Sequence, residues 1–318
     1  MSKYRKQLPQ CDGGLFLTDG GLETTLIFHN GLDLPHFAAF DLMRTQKGRV
    51  TLRRYYLPYI ESARQNGFGF ILDSPTWRAN PEWGTKLGYT RDALAAVNRD
   101  SIELMQELRD EFETPAAAMV VSGAIGPRGD GYEPGNIMTL DEAEAYHREQ
   151  IEVFSDTGAD MVCAFTLTNV NEAIGITRAA QAVSIPVAIS FTLETDGLLP
   201  TGQTLSGAIE ACDAATANGP AYYMINCAHP THIENALAAE GDWRVRLTGL
   251  RANASRRSHA ELNEAPDLDA GDPVELGNQY RDLMRRFPNL SIVGGCCGTD
   301  SRHVGFISTA CRTAKMAA

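Results

Sequence analysis

The chain has 318 residues, 43% hydrophobic and 21% charged, with a net charge of −12 at neutral pH. That balance describes a soluble globular protein, and the acidic surplus argues against a nucleic acid or an anionic membrane as partner, since both need a basic surface. No apolar run reaches the ~18 residues of a membrane span. The polar start "MSKYRKQLPQCDGG" lacks the apolar core of a secretion signal, so a cytoplasmic protein is expected.

In chain order, residues 1–13 read as an N-terminal extension before a first strand, "GLFLTD" (14–19). A helix over 50–67 leads to a strand at 69–74, and a helix over 90–112 leads to a strand at 116–123. The Gly/Pro-rich stretch 126–136 follows as a loop, then a helix over 139–158 opened by a capping box at Thr139. Strands at 160–165, 186–191 and 222–227 alternate with helices at 171–183 and 204–219. A strand at 244–253 precedes a charged insertion, 255–277, read as a solvated loop plus a short helix. The last strand, 290–297, runs into "GTDSRH", with Thr299 or Asp300 as helix cap.

Several of these strands are apolar almost throughout, as strands buried on both faces of a parallel sheet must be. Eight of them alternating with helices predict an α/β fold, a single (β/α)8 TIM barrel over residues 1–318. A doubly wound open sheet is the alternative, but no G-x-G-x-x-G follows the first strand.

A barrel of this kind carries its site at the C-terminal ends of the strands. Those ends hold Asp19, then Asp73, Ser74 and Thr76, then Gly123 and Gly126, then Thr166, Thr168 and Thr192. The last three strands contribute Cys227, Asn253, and Cys296 with Cys297. The seven cysteines are an odd number, unlike a secreted disulfide framework. A disulfide between neighbours 296 and 297 is poor geometry, because adjacent Cα atoms are ~3.8 Å apart and disulfides span ~4.4–6.8 Å. A metal site completed by Cys227, structural packing and a redox pair all remain open on chemistry alone. Zinc is the natural metal, with three protein ligands and one open position. The other cysteines tested by position, Cys163, Cys212 and Cys311, fall inside a strand or helices and read as bystanders.

The stretches "DGGLETTL" (19–26), "NCAHP" (226–230) and "GGCCG" (294–298) together resemble the zinc-dependent homocysteine S-methyltransferases, and they span nearly the whole chain. The resemblance implies Zn2+ on Cys227, Cys296 and Cys297, with the homocysteine sulfur entering the open position. It implies that Asp19 holds the substrate ammonium, that the Gly20 and Gly21 amides meet its carboxylate, and that Thr166 and Asn253 stand at the substrate. The activity implied is methionine formation from homocysteine and a small-molecule methyl donor. S-methylmethionine or S-adenosylmethionine fits best, because only 21 residues follow Cys297. A different thiol, a corrinoid or betaine donor, or a non-catalytic zinc or thiol-binding role are the alternatives; homo-oligomerisation is left open.

Two positions depart from the family pattern. Phe165 stands where family members carry a Glu, which weakens the expected grip on the ammonium. Glu23 replaces a small residue; it either supplies a carboxylate near the site or faces outward. Trp77, Trp83 and Tyr132 lie on mouth loops, either as a cation–π cradle for a cationic donor or as ordinary loop packing. His229, two residues past Cys227, reads as a supporting or surface group rather than a ligand.

Overall fold

The computed structural model describes residues 1–316 and forms a closed barrel of eight parallel strands in sequence order. The strands are β1 (Phe16–Leu17), β2 (Gly69–Asp73), β3 (Met119–Ile125), β4 (Met161–Leu167), β5 (Val187–Phe191), β6 (Tyr222–Asn226), β7 (Leu247–Ala252) and β8 (Ile292–Gly295). All eight expected strands are present. The ring closes where Phe16 pairs with Ile292. Among the described residues no helix is long and apolar enough to cross a membrane.

Among the described residues ten α-helices of six residues or more surround the strands: α1 (Gln46–Asn66), α2 (Pro81–Lys86), α3 (Arg91–Phe112), α4 (Leu140–Ser155), α5 (Val170–Ala182), α6 (Leu205–Thr216), α7 (Pro230–Ala238), α8 (His259–Glu264), α9 (Pro273–Arg286) and α10 (Ser301–Met316). The capping box at Thr139 forms as expected. The sequence reading passed over α2, α7 and α9, although each opens with a proline in its first turn, a position where proline's missing N–H costs nothing. The insertion expected over 255–277 contains α8, but it also runs into the first turn of α9.

Burial on both faces explains the apolar runs. Ile71, Val120, Met161, Ala188, Met224 and Ile292 pack together inside the barrel. Phe70, Leu72, Val121, Val162, Ile189 and Val293 face the helices. Alternation along each strand therefore separates two apolar layers instead of an apolar and a polar face.

The N-terminal segment is tied to the barrel's lower end. Asp160, fully buried just before β4, accepts the backbone N–H groups of Lys3 and Tyr4 (both 2.7 Å) and of Val121 (2.9 Å), and a bond from Arg109 Nη1 at 2.8 Å. Leu8 adds an apolar side chain to the interior cluster. Four N–H donors on one carboxylate satisfy its charge without water. Removing it would leave the buried Arg109 with only the exposed Asp110, 4.0 Å away, so Asp160→Ala is expected to destabilise the fold by about 3–5 kcal/mol. Urea unfolding followed by circular dichroism measures this; a loss below ~0.5 kcal/mol, the level of an ordinary surface change, contradicts it.

Candidate active site

At the upper end of the strands a cavity of about 440 Å³ opens. Its lining includes Asp19, Gly20, Gly21, Glu23, Asp73, Trp77, Arg78, Tyr132, Phe165, Thr166, Asn226, Arg251 and all three of Cys227, Cys296 and Cys297. The three cysteine sulfurs lie within 4.8 Å of one another. In this structure Cys227 and Cys296 are joined as a disulfide, their Cα atoms 5.3 Å apart, while Cys297 is free. The adjacent pair is thus unbonded, as chain geometry requires, but the pairing between strand ends was not foreseen. It follows from the same convergence: β6 and β8 bring two Cα atoms inside the disulfide range.

The backbone that aims these groups is unusual. Thr166 and Cys227 both have left-handed φ, 60° and 54°, a costly conformation for residues bearing a Cβ. Asn226 holds the first: its Oδ1 accepts the Thr166 N–H (2.8 Å) and its Nδ2 donates to Thr166 Oγ1 (2.9 Å). The Cys227 carbonyl holds the second, accepting from Asn253 Nδ2 (3.1 Å) and from His259 Nε2 (2.6 Å). Gly294 and Gly295 have a packing role, since a Cβ on either would lie 1.9 Å from a threonine Oγ1, Thr18 and Thr299 respectively.

Arg251 was not singled out from the sequence, and it dominates the electrostatics. From β7 its Nη2 donates to Asp19 Oδ1 at 2.5 Å, its Nη1 to Asp73 Oδ2 at 2.8 Å and its Nε to the Gly295 carbonyl at 3.0 Å. Tyr55 donates to the other Asp19 oxygen at 2.9 Å. Burial raises the Asp19 carboxyl above its ordinary range, opposed by Arg251. Burial also pushes Asp73 up to about 7, against the same cation. Burial works against the Arg251 charge, yet Asp19 and Asp73 outweigh it, so the guanidinium keeps its proton more tightly than usual. Phe165 lies against this cation, its ring centroid 4.9 Å from the guanidinium carbon. Nothing local marked Arg251 out, because the expected strand 244–253 holds three arginines, Arg244, Arg246 and Arg251.

The remaining expected site residues separate. Thr166, Gly20 and Asp19 line the cavity. Gly21 does too, but its N–H donates to the Thr299 carbonyl at 3.0 Å and is not free for a substrate carboxylate. Asn253 sits behind the site, where its amide braces Cys227. Glu23, left between two orientations by the sequence, faces the cavity. The aromatic cradle is filled from within: Arg78 lies over the Trp77 ring (4.5 Å) and the Trp83 ring (3.8 Å), with Lys86 also over Trp83 (3.8 Å). Tyr132 stacks on His259 at 3.9 Å, and its hydroxyl lies 3.5 Å from Cys297 Sγ. His229 caps α7 through the Thr231 N–H. Cys163, Cys212 and Cys311 are buried and do not line the cavity.

Residues 16–311 match the family described as homocysteine S-methyltransferase. The chain belongs to that family. It is 25% identical over 324 residues to homocysteine S-methyltransferase 4 of Zea mays, covering 95% of this chain and 91% of the relative. Its fold is that of the homocysteine methyltransferase MmuM from Escherichia coli. The oxidized form of MmuM gives a TM-score of 0.75 at 21% identity over 93% of this chain and 95% of that one. The metallated form gives 0.70 at 20% identity over 93% and 96%. The protein is therefore an enzyme of the homocysteine S-methyltransferase family on a (β/α)8 barrel.

Replacing Arg251 by methionine would leave two buried carboxylates without their cation. Arg251→Met is expected to cost about 3–5 kcal/mol at pH 7.5. Loss of the cation drives the folded-state pKa values of Asp19 and Asp73 further above the unfolded ~3.9. The folded variant then binds more protons than the unfolded chain, so its stability rises as pH falls. The penalty should shrink between pH 7.5 and pH 5; urea unfolding at both values measures it, and a penalty that grows in acid contradicts the assignment.

Proposed function

We propose that this enzyme transfers a methyl group from a sulfonium donor, S-methylmethionine or S-adenosylmethionine, to the thiol of homocysteine, with zinc held by Cys227, Cys296 and Cys297. The supporting observation is the meeting of three sulfurs within 4.8 Å at one cavity. Soft sulfur donors suit zinc, and three protein ligands are the number found in catalytic rather than closed structural sites. Binding requires the reduced triad, because a disulfide between Cys227 and Cys296 has no thiolate to give. When bound, the metal supplies a lowered thiol pKa, so the acceptor is a thiolate near neutral pH.

The acceptor thiolate attacks the methyl carbon of the donor. A new S–CH3 bond forms while the donor's S–CH3 bond breaks, and the departing sulfur keeps the electron pair and becomes neutral. One negative and one positive charge disappear together, so a site that excludes water favours the step. The chain's residues supply that exclusion and the alignment. Asn226 fixes Thr166 and reaches Cys296 Sγ at 3.8 Å. Tyr132, braced on His259, closes over Cys297. Burial raises the Cys297 thiol pKa, partly opposed by the Tyr132 hydroxyl. The names of the Zea mays relative and of MmuM agree with homocysteine as acceptor.

The reduced, zinc-supplied protein, incubated with homocysteine and either sulfonium donor, is expected to yield methionine detectable by mass spectrometry. Cys227→Ser, Cys296→Ser and Cys297→Ser should each lose stoichiometric zinc and about 100-fold or more of the activity, since even partners of zinc ligands are worth 10–100-fold. Full zinc retention in all three variants refutes the ligand assignment. Absence of methionine with both donors refutes the reaction.

A further inference from the structure

The acidic groups around the cavity are unequal. Six line it, Asp19, Glu23, Asp73, Asp130, Asp267 and Asp269, against two arginines, Arg78 and Arg251. Asp19 is occupied by Arg251 and Tyr55. Asp73 is bound to Arg251 through one oxygen, and the other is sealed from solvent. Asp130 accepts the backbone N–H groups of Tyr132 and Glu133 and lies 3.7 Å from Arg78. Asp269 is bonded to Ser255 at 2.6 Å, and Asp267 is exposed at the outer rim.

Glu23 is different. It is half-buried on the helical turn Leu22–Thr24 directly after β1. Among the described residues its carboxylate meets only its own backbone N–H and no cation at ion-pair distance. Arg78 acts on it from a distance, but that guanidinium donates to the Gly129 carbonyl at 3.1 Å and is held between two indole rings. Burial pushes Glu23 up to about 7, and Asp19 adds to the rise. Glu23 lines the same cavity as Cys227, Cys296 and Cys297, so it faces the space in which a ligand of the sulfur triad would lie. A desolvated carboxylate without a partner is costly, and a cation brought by a ligand removes that cost. The excess of acids over arginines favours the same sign.

We propose that Glu23 receives the ammonium group of the acceptor, making the acceptor an α-amino thiol that is recognised from the turn after β1 and not by Asp19. This deepens the methyltransferase reading and rests on it. Asp19 then serves to hold Arg251, and Glu23 sets which thiols are accepted.

The test uses product-like ligands, so that binding is read without turnover. L-methionine, 4-(methylthio)butanoate, which lacks the ammonium, and 3-(methylthio)propylamine, which lacks the carboxylate, are titrated by calorimetry into the reduced, zinc-supplied protein and its Glu23→Gln variant. The wild type should prefer methionine to the butanoate at least 10-fold. Glu23→Gln should weaken methionine and the amine at least 10-fold and leave the butanoate within twofold. Equal binding of methionine and the butanoate by wild type, no binding of methionine, a loss shared by all three ligands, or a selective loss in Asp19→Asn alone each overturns the role of Glu23. Methyl transfer assayed in parallel separates the two readings. Methionine formed without the ligand pattern overturns Glu23 alone. The ligand pattern without transfer from any sulfonium donor supports Glu23 as an amino-acid-binding residue and overturns the methyltransferase reading.

Discussion

The site depends on one guanidinium. Arg251 projects from β7 and binds a carboxylate at the end of β1, a carboxylate at the end of β2, and the carbonyls of Gly20 and Gly295. It therefore joins β7, β8, β1 and β2 at the rim where Cys296 and Cys297 emerge. Both acids are buried, and such an arrangement holds only while every partner is present. The same bonds decide what the cavity offers a ligand, because an acid that satisfies Arg251 is withdrawn from recognition. Phe165 covers the cation from β4, where a carboxylate would have been a third competitor for it.

Around that pin the backbone is forced into place. Thr166 and Cys227 adopt left-handed conformations and stay there because Asn226, Asn253 and His259 hold the neighbouring polar atoms. Strain of this kind persists where surrounding bonds over-determine it, and it clusters at functional sites. The result is three sulfurs brought together by two strand ends before any ligand arrives. Tyr132, Trp77 and Arg78 then narrow the entrance, with the arginine occupying the indole faces that a cationic donor would otherwise use.

Much of this was legible in the chain. Strands buried on both sides leave nearly continuous apolar runs, so "AAAMVVSG" and "PVAISF" announced themselves, and eight of them implied a ring. The cysteine cluster was legible because strand ends in a barrel share one mouth, so Cys227 and Cys296 meet across 69 residues of sequence. The Arg251 cluster was not, since its partners lie 178 and 232 residues away and leave no local pattern. The aromatic loop stayed open between a cradle and ordinary loop packing for the opposite reason: Arg78 follows Trp77 directly, and only the fold shows it turning back onto the ring. The N-terminal segment gave no periodic signal, because it is held by backbone N–H groups on Asp160 and by Arg5 side-chain bonds to the carbonyls of Ser155, Thr157 and Ala159, none of which needs a periodic sequence.

The central claim is that Cys227, Cys296 and Cys297 hold a zinc ion that takes the acceptor sulfur as a further ligand. Zinc K-edge X-ray absorption on the reduced, zinc-supplied protein reads this directly. The account predicts three sulfur neighbours at ~2.3 Å together with one lighter atom, changing to four sulfurs when homocysteine is added. A sulfur count that does not rise on adding homocysteine, or a zinc surrounded by nitrogen and oxygen, would contradict it.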